Sequence, residues 1–335
     1  MPVTIRDVAR KLNLSVTTVS RALDGYDDVA EETRQRVIAA ALEMEYVPNR
    51  AARQLRRQRA DTIGYVLPAH EPRFADPFFS EFVAGLGDEA GSSNVDLLIS
   101  TASPNEEEEQ LVYQRWVHGH KVDGFVLNHM RLRDWRVIYL DRKEVPFVSL
   151  ERTLDPVEYA CIEVDGFGAV RELVLRLVEM GHRRIAFVCG PPHLVIQADR
   201  YAGYRDGLRS AGIMPTLELI AESDLTHQGG YHAAQQLLSI SDPPSAILCI
   251  NDLTAFGVYQ AVRERGLQPN RDICIAGFDG LEITRWSHPE LITIDQPVYD
   301  IARQLVKMLL MSLNESDKPY SRVMIKPKIM MPGCC

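Results

Sequence analysis

Thr4-Ile5-Arg6-Asp7-Val8-Ala9-Arg10-Lys11-Leu12, a break at Asn13-Leu14, then Ser15-Val16-Thr17-Thr18-Val19-Ser20-Arg21-Ala22-Leu23 reads as two short helices joined by a tight turn. Ile5, Val8, Ala9 and Leu12 recur at i, i+3, i+4 and i+7 and so line one helical face. Thr4 followed three residues later by Asp7 has the pattern of a capping box, with Asp in place of Glu. Asn13 takes a left-handed backbone at low cost and can end the first helix. Ser15 then caps the second, Leu14 pins the pair together, and Val19, Ala22 and Leu23 turn inward. Val16, Thr17 and Arg21 remain on the outer face, with Thr17 and Arg21 four apart and therefore neighbours. A short exposed helix of this kind can enter a DNA major groove, although two surface helices of an ordinary α domain would show the same pattern.

The residues that follow decide between these readings. A third helix over about 31–45 carries Val37, Ala41 and Met44 inward, enough for a three-helix core. Ala30 precedes it and has no capping side chain, so Asp28 is the expected cap. The next stretch, Tyr46 to Arg59, holds five Arg and no acid. Pro48 ends the third helix there and Asn49 can cap another. That helix would lack a core-facing stripe and should order only when its charge is neutralised.

The ordered motif TIRDVARKLNLSVTTVSRAL, followed by TRQRVIAAALEMEYVPNRAARQLRRQRADTIGYVLP, resembles the LacI/GalR family of bacterial transcriptional regulators. The resemblance implies that Val16, Thr17 and Arg21 read base edges. It also implies that Thr4, Ser15, Thr18, Ser20 and Thr33 lie against the DNA backbone, and that residues 49–57 form a hinge helix contacting DNA through Asn49, Arg50, Arg53 and Arg56. Leu55 would be the wedge inserted in the minor groove, which unstacks a base step at a cost of roughly a few kcal/mol. Asp24 departs from the Asn common at its position and should repel phosphate.

Charge supports a division of labour. The chain has 335 residues, with 37 Lys and Arg against 46 Asp and Glu, a net charge of −9. Its first sixty residues hold 11 of the bases and 8 of the acids, leaving 26 and 38 for the rest. A basic head on an acidic body suits a protein that touches DNA at one end, with salt-sensitive affinity. Cys161, Cys189, Cys249, Cys274, Cys334 and Cys335 show no metal-like spacing, and three of them fall in apolar runs, as reduced cytosolic thiols do. With no apolar leader or membrane-length run, a cytoplasmic protein without membrane association is expected.

From Thr62 onward, short Val/Ile/Leu-rich runs alternate with helical patterns. The strand-like runs are 63–67, 95–100, 124–127, 147–150, 161–164, 185–189, 218–221, 246–250 and 273–278. The helical stretches include 78–90, 106–117, 166–180, 200–211, 230–240, 253–265 and 300–313. Alternation of this kind predicts doubly wound parallel sheets, here two Rossmann-like lobes with a cleft at the carboxyl ends of the strands.

The family resemblance continues through Asp76-Pro77-Phe78-Phe79, Val122-Asp123-Gly124, Gly181-His182-Arg183-Arg184-Ile185, Asp199-Arg200 with Gly203-Tyr204, Asn251-Asp252, Gly277-Phe278-Asp279 and Ile294-Asp295-Gln296-Pro297. It implies a body similar to periplasmic sugar-binding proteins, with strand exchange near Cys161–Val164, Leu291–Gln296 and Arg322–Lys326. The expected organisation is an α/β chain. A helix-turn-helix domain occupies 1–48, a hinge helix and linker 49–60, and an effector-binding and dimerisation domain 61–335. Lobe 1 of that domain covers about 61–161 and 296–322, and lobe 2 about 162–295 and 323–332.

Candidate effector contacts are Phe78 or Phe79 stacking on a ring, Arg200 as a donor fork, and Asn251, Asp279 and Gln296 toward hydroxyls. Each also has a structural reading. Phe79 fits a core, Arg200 a nearby carboxylate, Asn251 and Asp252 helix caps, and Asp279 the turn at Asp279-Gly280. Other motifs point away from chemistry. Glu106 to Glu109 read as a solvated helix start, and His118-Gly119-His120 lacks a third ligand. Arg171 breaks the glycine fingerprint begun at Gly166 and Gly168. With no P-loop, G-x-S-x-G or H-E-x-x-H, no enzyme and no cofactor are expected.

The expectation is therefore a homodimeric repressor on a near-palindromic double-stranded DNA operator, controlled by a small-molecule effector between the lobes. A sugar is the family's commonest ligand, and the stretch from Tyr65 to Ala90 is similar to regulators of α-glucoside use. The alternatives are a nucleobase-responsive, corepressor-dependent regulator and a periplasmic-type sugar-binding protein without DNA function. Without Leu heptads after Pro332, a dimer and not a coiled-coil tetramer is expected.

Overall fold

The structure is a computed structural model that describes residues 3–46, 59–68, 76–102, 105–288, 290–314 and 321–332. Asn49, Arg50, Arg53, Leu55, Arg56, Cys334 and Cys335 lie outside the described residues. The chain divides into two compact units, Met1–Ala60 and Asp61–Cys335.

Among its described residues the first unit has three helices, α1 (Ile5–Leu12), α2 (Val16–Leu23) and α3 (Glu31–Glu43). The Thr4 backbone N–H and hydroxyl both donate to the Asp7 carboxylate, at 3.0 and 2.7 Å. Asn13 takes the left-handed conformation that closes α1, and the Ser15 hydroxyl accepts from the Thr18 N–H to open α2. Val8, Val19, Ala22, Val29 and Val37 form the buried centre of the unit. One expectation fails. Asp28 does not cap α3, whose N-cap position is filled by Ala30 without a side-chain hydrogen bond. Asp28 takes the Arg21 guanidinium instead, a charged donor in place of a backbone N–H. Glu31 and Glu32 in the first turn of α3 suit its helix dipole.

Among its described residues the second unit holds two six-stranded sheets. The strands of the first, in chain order, are β1 (Thr62–Pro68), β2 (Asp96–Ala102), β3 (Gly124–Leu127), β4 (Phe147–Leu150), β5 (Ala160–Val164) and β11 (Arg322–Ile325). Their spatial order is β11-β5-β4-β3-β1-β2, parallel throughout. The second sheet is built from β6 (Ile185–Cys189), β7 (Ile220–Glu222), β8 (Ala246–Cys249), β9 (Cys274–Asp279), β10 (Ile292–Asp295) and β12 (Lys328–Met330). Its order is β12-β10-β9-β8-β6-β7, parallel except where β12 runs against β10.

The helices packed on these sheets include α4 (Pro77–Ser92), α5 (Glu106–His118), α6 (Trp135–Arg142), α7 (Gly166–Glu179), α8 (Val195–Ser210), α9 (His227–Leu237), α10 (Asp252–Glu264) and α11 (Val298–Asn314). The central strands β3, β4, β6, β8 and β9 are buried at every residue. That is why they read as unbroken apolar runs, covered on both faces. Among the described residues no helix is long and apolar enough to cross a membrane.

Strand pairing moves two of the expected lobe boundaries. β5 stays in the first sheet through Val164 and β11 through Ile325, so the crossings fall about three residues later than 161/162 and 322/323. Each strand pairs along its whole length before the chain leaves the sheet, and a break inside it would strand ladder groups without partners. The third crossing follows Asp295, at the end of β10.

Candidate functional site

A narrow cleft with a cavity volume of about 30 Å3 lies between the two sheets of the second unit. Asp76 and Phe78 come from the start of α4, His129 follows β3, and Leu150 and Glu151 stand at the end of β4. From the other sheet come Ile196 and Arg200 on α8, Leu225 after β7, Asn251 after β8, Asp279 ending β9 and Gln296 after β10. Most of these positions sit just past carboxyl ends of parallel strands, where side chains from separate strands converge on one crevice.

Arg200 is 5% exposed. Its Nη1 donates to the Ile250 carbonyl, its guanidinium carbon lies 3.5 Å from the centre of the Phe278 ring, and its Nη2 stands 4.0 Å from Asp279 Oδ1. Burial draws its pKa below the usual arginine range, against the pull of Asp279 and Glu151. Asp279 is held at φ 124°, a conformation few side chains adopt, and accepts a 2.7 Å bond from Gln296 Nε2. Burial pushes its carboxyl up to about 7, with Arg200 opposing. Gly280, at φ 72°, completes this tight exit from β9.

Glu151, at φ 72°, accepts from the Val164 N–H, and burial pushes it up to about 8 against the effect of Arg200. Asp76 caps α4 through the Phe78 N–H, and burial takes it up to about 6. Asn251 uses both ends of its amide, accepting from Thr254 N–H at 2.9 Å and donating to the Leu225 carbonyl at 3.2 Å. Three carboxylates, one guanidinium, two amides and the stacked rings of Phe78 and His129 therefore share one crevice. Such a set can take a small molecule that presents several hydroxyl groups on an apolar ring.

Phe78, Arg200, Asn251, Asp279 and Gln296, all expected from the sequence, meet here. Phe79 does not line the cleft. It packs edge-on against Phe78 and His129 and supports them, which is its core reading. Asn251 combines both of its readings, as a helix cap whose residue also faces the crevice. Asp76, His129 and Glu151 were missed. The signal for His129 and Glu151 was position alone, immediately past the apolar runs that end at Leu127 and Leu150, and Asp76 opens the quoted Asp76-Pro77-Phe78-Phe79 segment.

Beside the cleft residues His129 and Ile196, backbone hydrogen bonds join the two lobes. Val195 N–H donates to the Met130 carbonyl at 2.9 Å, Leu132 N–H donates to the His193 carbonyl at 2.8 Å, and Arg131 and Leu194 form an antiparallel bridge.

In the first unit, Ser15, Val16 and Thr17 are exposed at the start of α2. The Thr18 and Ser15 hydroxyls lie 2.8 Å apart, and the Ser20 hydroxyl reaches Asp24 at 3.4 Å. Thr4 is exposed, Thr33 half-buried, and Arg21 half-exposed in its pair with Asp28.

Residues 4–49 match the family described as bacterial regulatory proteins, lacI family, and residues 60–331 match periplasmic binding proteins and sugar binding domain of LacI family. The chain is 34% identical over 307 residues to the transcriptional repressor CytR of Escherichia coli strain K12, covering 92% of this chain and 89% of that protein. It is 34% identical over 325 residues to the transcriptional regulator AglR of Rhizobium meliloti strain 1021, covering 95% and 90%. Among solved structures, the Lac repressor dimer bound to operator and the anti-inducer ONPF superposes with a TM-score of 0.84 at 28% identity over 98% of both chains. A complex of the transcriptional regulator CelR with cellobiose gives a TM-score of 0.75 at 27% identity, again over 98% of both. A helix-turn-helix unit and a two-lobed α/β body, each matched to its own part of one family, together place this chain in the LacI family of bacterial transcriptional regulators.

Proposed function

We propose that the protein is a ligand-responsive repressor that binds a near-palindromic operator as a homodimer and takes a sugar in the cleft, with α-glucosides the first class to test. The observation that carries the ligand half is the convergence of Arg200, Asp279, Asn251 and Gln296 with the Phe78 ring at the carboxyl ends of the strands. Carboxylates and amides accept from and donate to hydroxyls, and the ring covers an apolar sugar face. The DNA half is supported by the exposed Val16 and Thr17 beside Arg21 on α2, and by the Lac repressor dimer that superposes on this chain. Paired recognition helices on a two-fold dimer read half-sites about one helical turn apart, which makes the operator near-palindromic.

Ligand binding controls DNA binding only if the ligand prefers one lobe arrangement, since equal affinity for both shifts nothing. The test has two stages. Selection from random duplexes at low salt should enrich a near-palindrome, and a thermal-shift screen of mono- and disaccharides and purines should identify a stabilising ligand that alters the affinity for that duplex. Failure to enrich any duplex sinks the DNA half. Stabilisation by purines alone replaces the sugar with a nucleobase.

A further inference from the structure

We infer that Asp28 is a positioning residue for DNA reading, holding the side edge of the Arg21 guanidinium so that its end edge faces a guanine. The inference rests on the proposal that α2 reads an operator. Arg21 Nε donates to Asp28 Oδ1 at 3.1 Å and its Nη2 lies 2.5 Å from Oδ2, a two-point clamp. The guanidinium carbon also lies 4.7 Å from the centre of the Tyr26 ring. A guanidinium has two edges that can each engage a pair of acceptors. Asp28 takes the Nε/Nη2 edge. The Nη1/Nη2 edge is left over, and among the described residues Nη1 engages no acceptor. That edge matches the paired O6 and N7 acceptors of guanine in the major groove.

The clamp is mounted on an anchored loop. Tyr26 N–H donates to the Arg21 carbonyl at 3.1 Å, and the Tyr26 carbonyl accepts from Arg34 Nη2 on α3 at 2.8 Å. Val29, one residue past Asp28, is buried in the three-helix core. Gly25, at φ 76°, makes the turn that brings the loop back over α2. The carboxylate is thus fixed relative to the helix it serves. Asp28 and Arg21 are both substantially exposed, so the pair adds little to folding. Its effect is to remove rotamer freedom from a side chain that must arrive in one orientation.

A competing role predicts the opposite sign. If Asp28 merely occupied Arg21 and had to be displaced by DNA, its removal would strengthen specific binding. Positioning predicts weaker discrimination together with equal or stronger non-specific binding, because an anion near phosphates has also gone.

The experiment takes the full chain and its selected operator. Asp28→Asn should cut the preference for guanine at the base read by Arg21 about fivefold or more, the lower end of what a bidentate base contact is worth. Affinity for a scrambled duplex should hold or rise, and the melting temperature should not change. In an Arg21→Ala background, Asp28→Asn should change the preference no further. The inference is overturned if Asp28→Asn keeps or sharpens the preference, or if Arg21→Ala leaves it unaltered. If the unmodified protein enriches no duplex at all, the operator reading itself falls, which is a separate result.

Discussion

Arg200 and the carboxylates around it show why a binding site is costly for the protein that carries it. Burial is the largest influence on Glu151, Asp279 and Asp76, and it raises all three. A carboxyl raised in the folded state contributes stability that is fully present below its unfolded value and lost as pH rises through its folded one. For Glu151 that window runs from its ordinary 4.5 to about 8, and for Asp279 from 3.8 to about 7. Glu151→Gln should therefore raise the melting temperature of the empty protein at pH 8 by a few degrees, on the scale of ~2–4 °C per kcal/mol for a domain of this size class. It should change little at pH 4. A variant that melts lower than the parent at pH 8 would show that the attraction to Arg200 outweighs the burial of Glu151.

Arg200→Ala tests the other side of the pair. It removes the one guanidinium among the described residues of the cleft lining, and ligand binding should weaken by at least ~2 kcal/mol, the scale of a lost charged hydrogen bond in a buried site. Operator affinity without ligand should persist. Titration calorimetry and anisotropy on the same sample would separate the two effects. Arg200, Asn251, Asp279 and Gln296 were legible because they stand in segments that resemble the family, whose ligands bind past the strand ends. Glu151 and His129 were not, since a single Glu or His after a strand has no pattern of its own.

At the scale of elements, α6 shows where sequence reading stopped. Trp135-Arg136-Val137-Ile138-Tyr139-Leu140 has the β-branched and aromatic content of a strand, and no helix was expected there. Local chemistry overrides that propensity. Asp134 caps α6 through the Arg136 N–H and also receives the Arg136 side chain, with Nε at 2.9 Å and Nη2 at 2.6 Å. Burial alone would raise the Asp134 carboxyl, but the attraction of Arg136 and its hydrogen bonds hold it below the usual carboxylate range. Arg136 then donates to the carbonyls of Asn128 and His129, each at 3.2 Å, and so ties α6 to the loop that carries His129 into the cleft.

Asp134→Ala leaves a buried guanidinium with Glu109, 3.7 Å away, as its remaining carboxylate neighbour. Stability should fall by ~3–5 kcal/mol, the usual result of removing one partner of a buried ion pair. Urea unfolding would measure it, and a loss under 1 kcal/mol would mean that Glu109 takes over the charge. The same logic explains the other misplacements. α8 begins at Val195, five residues before the expected 200, with Leu194 at its N-cap and no side-chain cap to mark the start. The expected strand at 218–221 begins instead with a single 3-10 turn over Leu217–Leu219.

For the whole molecule, alternation of apolar runs and helices was enough to foresee two parallel sheets, because buried strands leave so plain a trace. The bonds that join the lobes beside the cleft were invisible, since they are made by backbone and have no residue preference. Val195 N–H to Met130 carbonyl and Leu132 N–H to His193 carbonyl join the loops of the two lobes next to His129 and Ile196. Val195 is also the first residue of α8, where proline is tolerated because the N–H has no partner inside the helix. Leu194 before it is already extended at ψ 141°, as a residue preceding proline must be. Val195→Pro therefore deletes one inter-lobe hydrogen bond while leaving both sheets and the helix intact.

One net hydrogen bond is worth ~1 kcal/mol, so the closed arrangement should lose about fivefold in population relative to open ones. A ligand enclosed by both lobes needs the closed arrangement, and its apparent affinity falls with the closed fraction, by the full fivefold where that arrangement is a minor one in the empty protein. By linkage, whatever effect that ligand has on operator affinity should first appear at correspondingly higher concentration, with its limiting size unchanged. Equal ligand affinity in Val195→Pro and parent, with circular dichroism confirming both folds, would show that the bridge at 130–132 and 193–195 takes no part in the equilibrium that ligand binding draws upon.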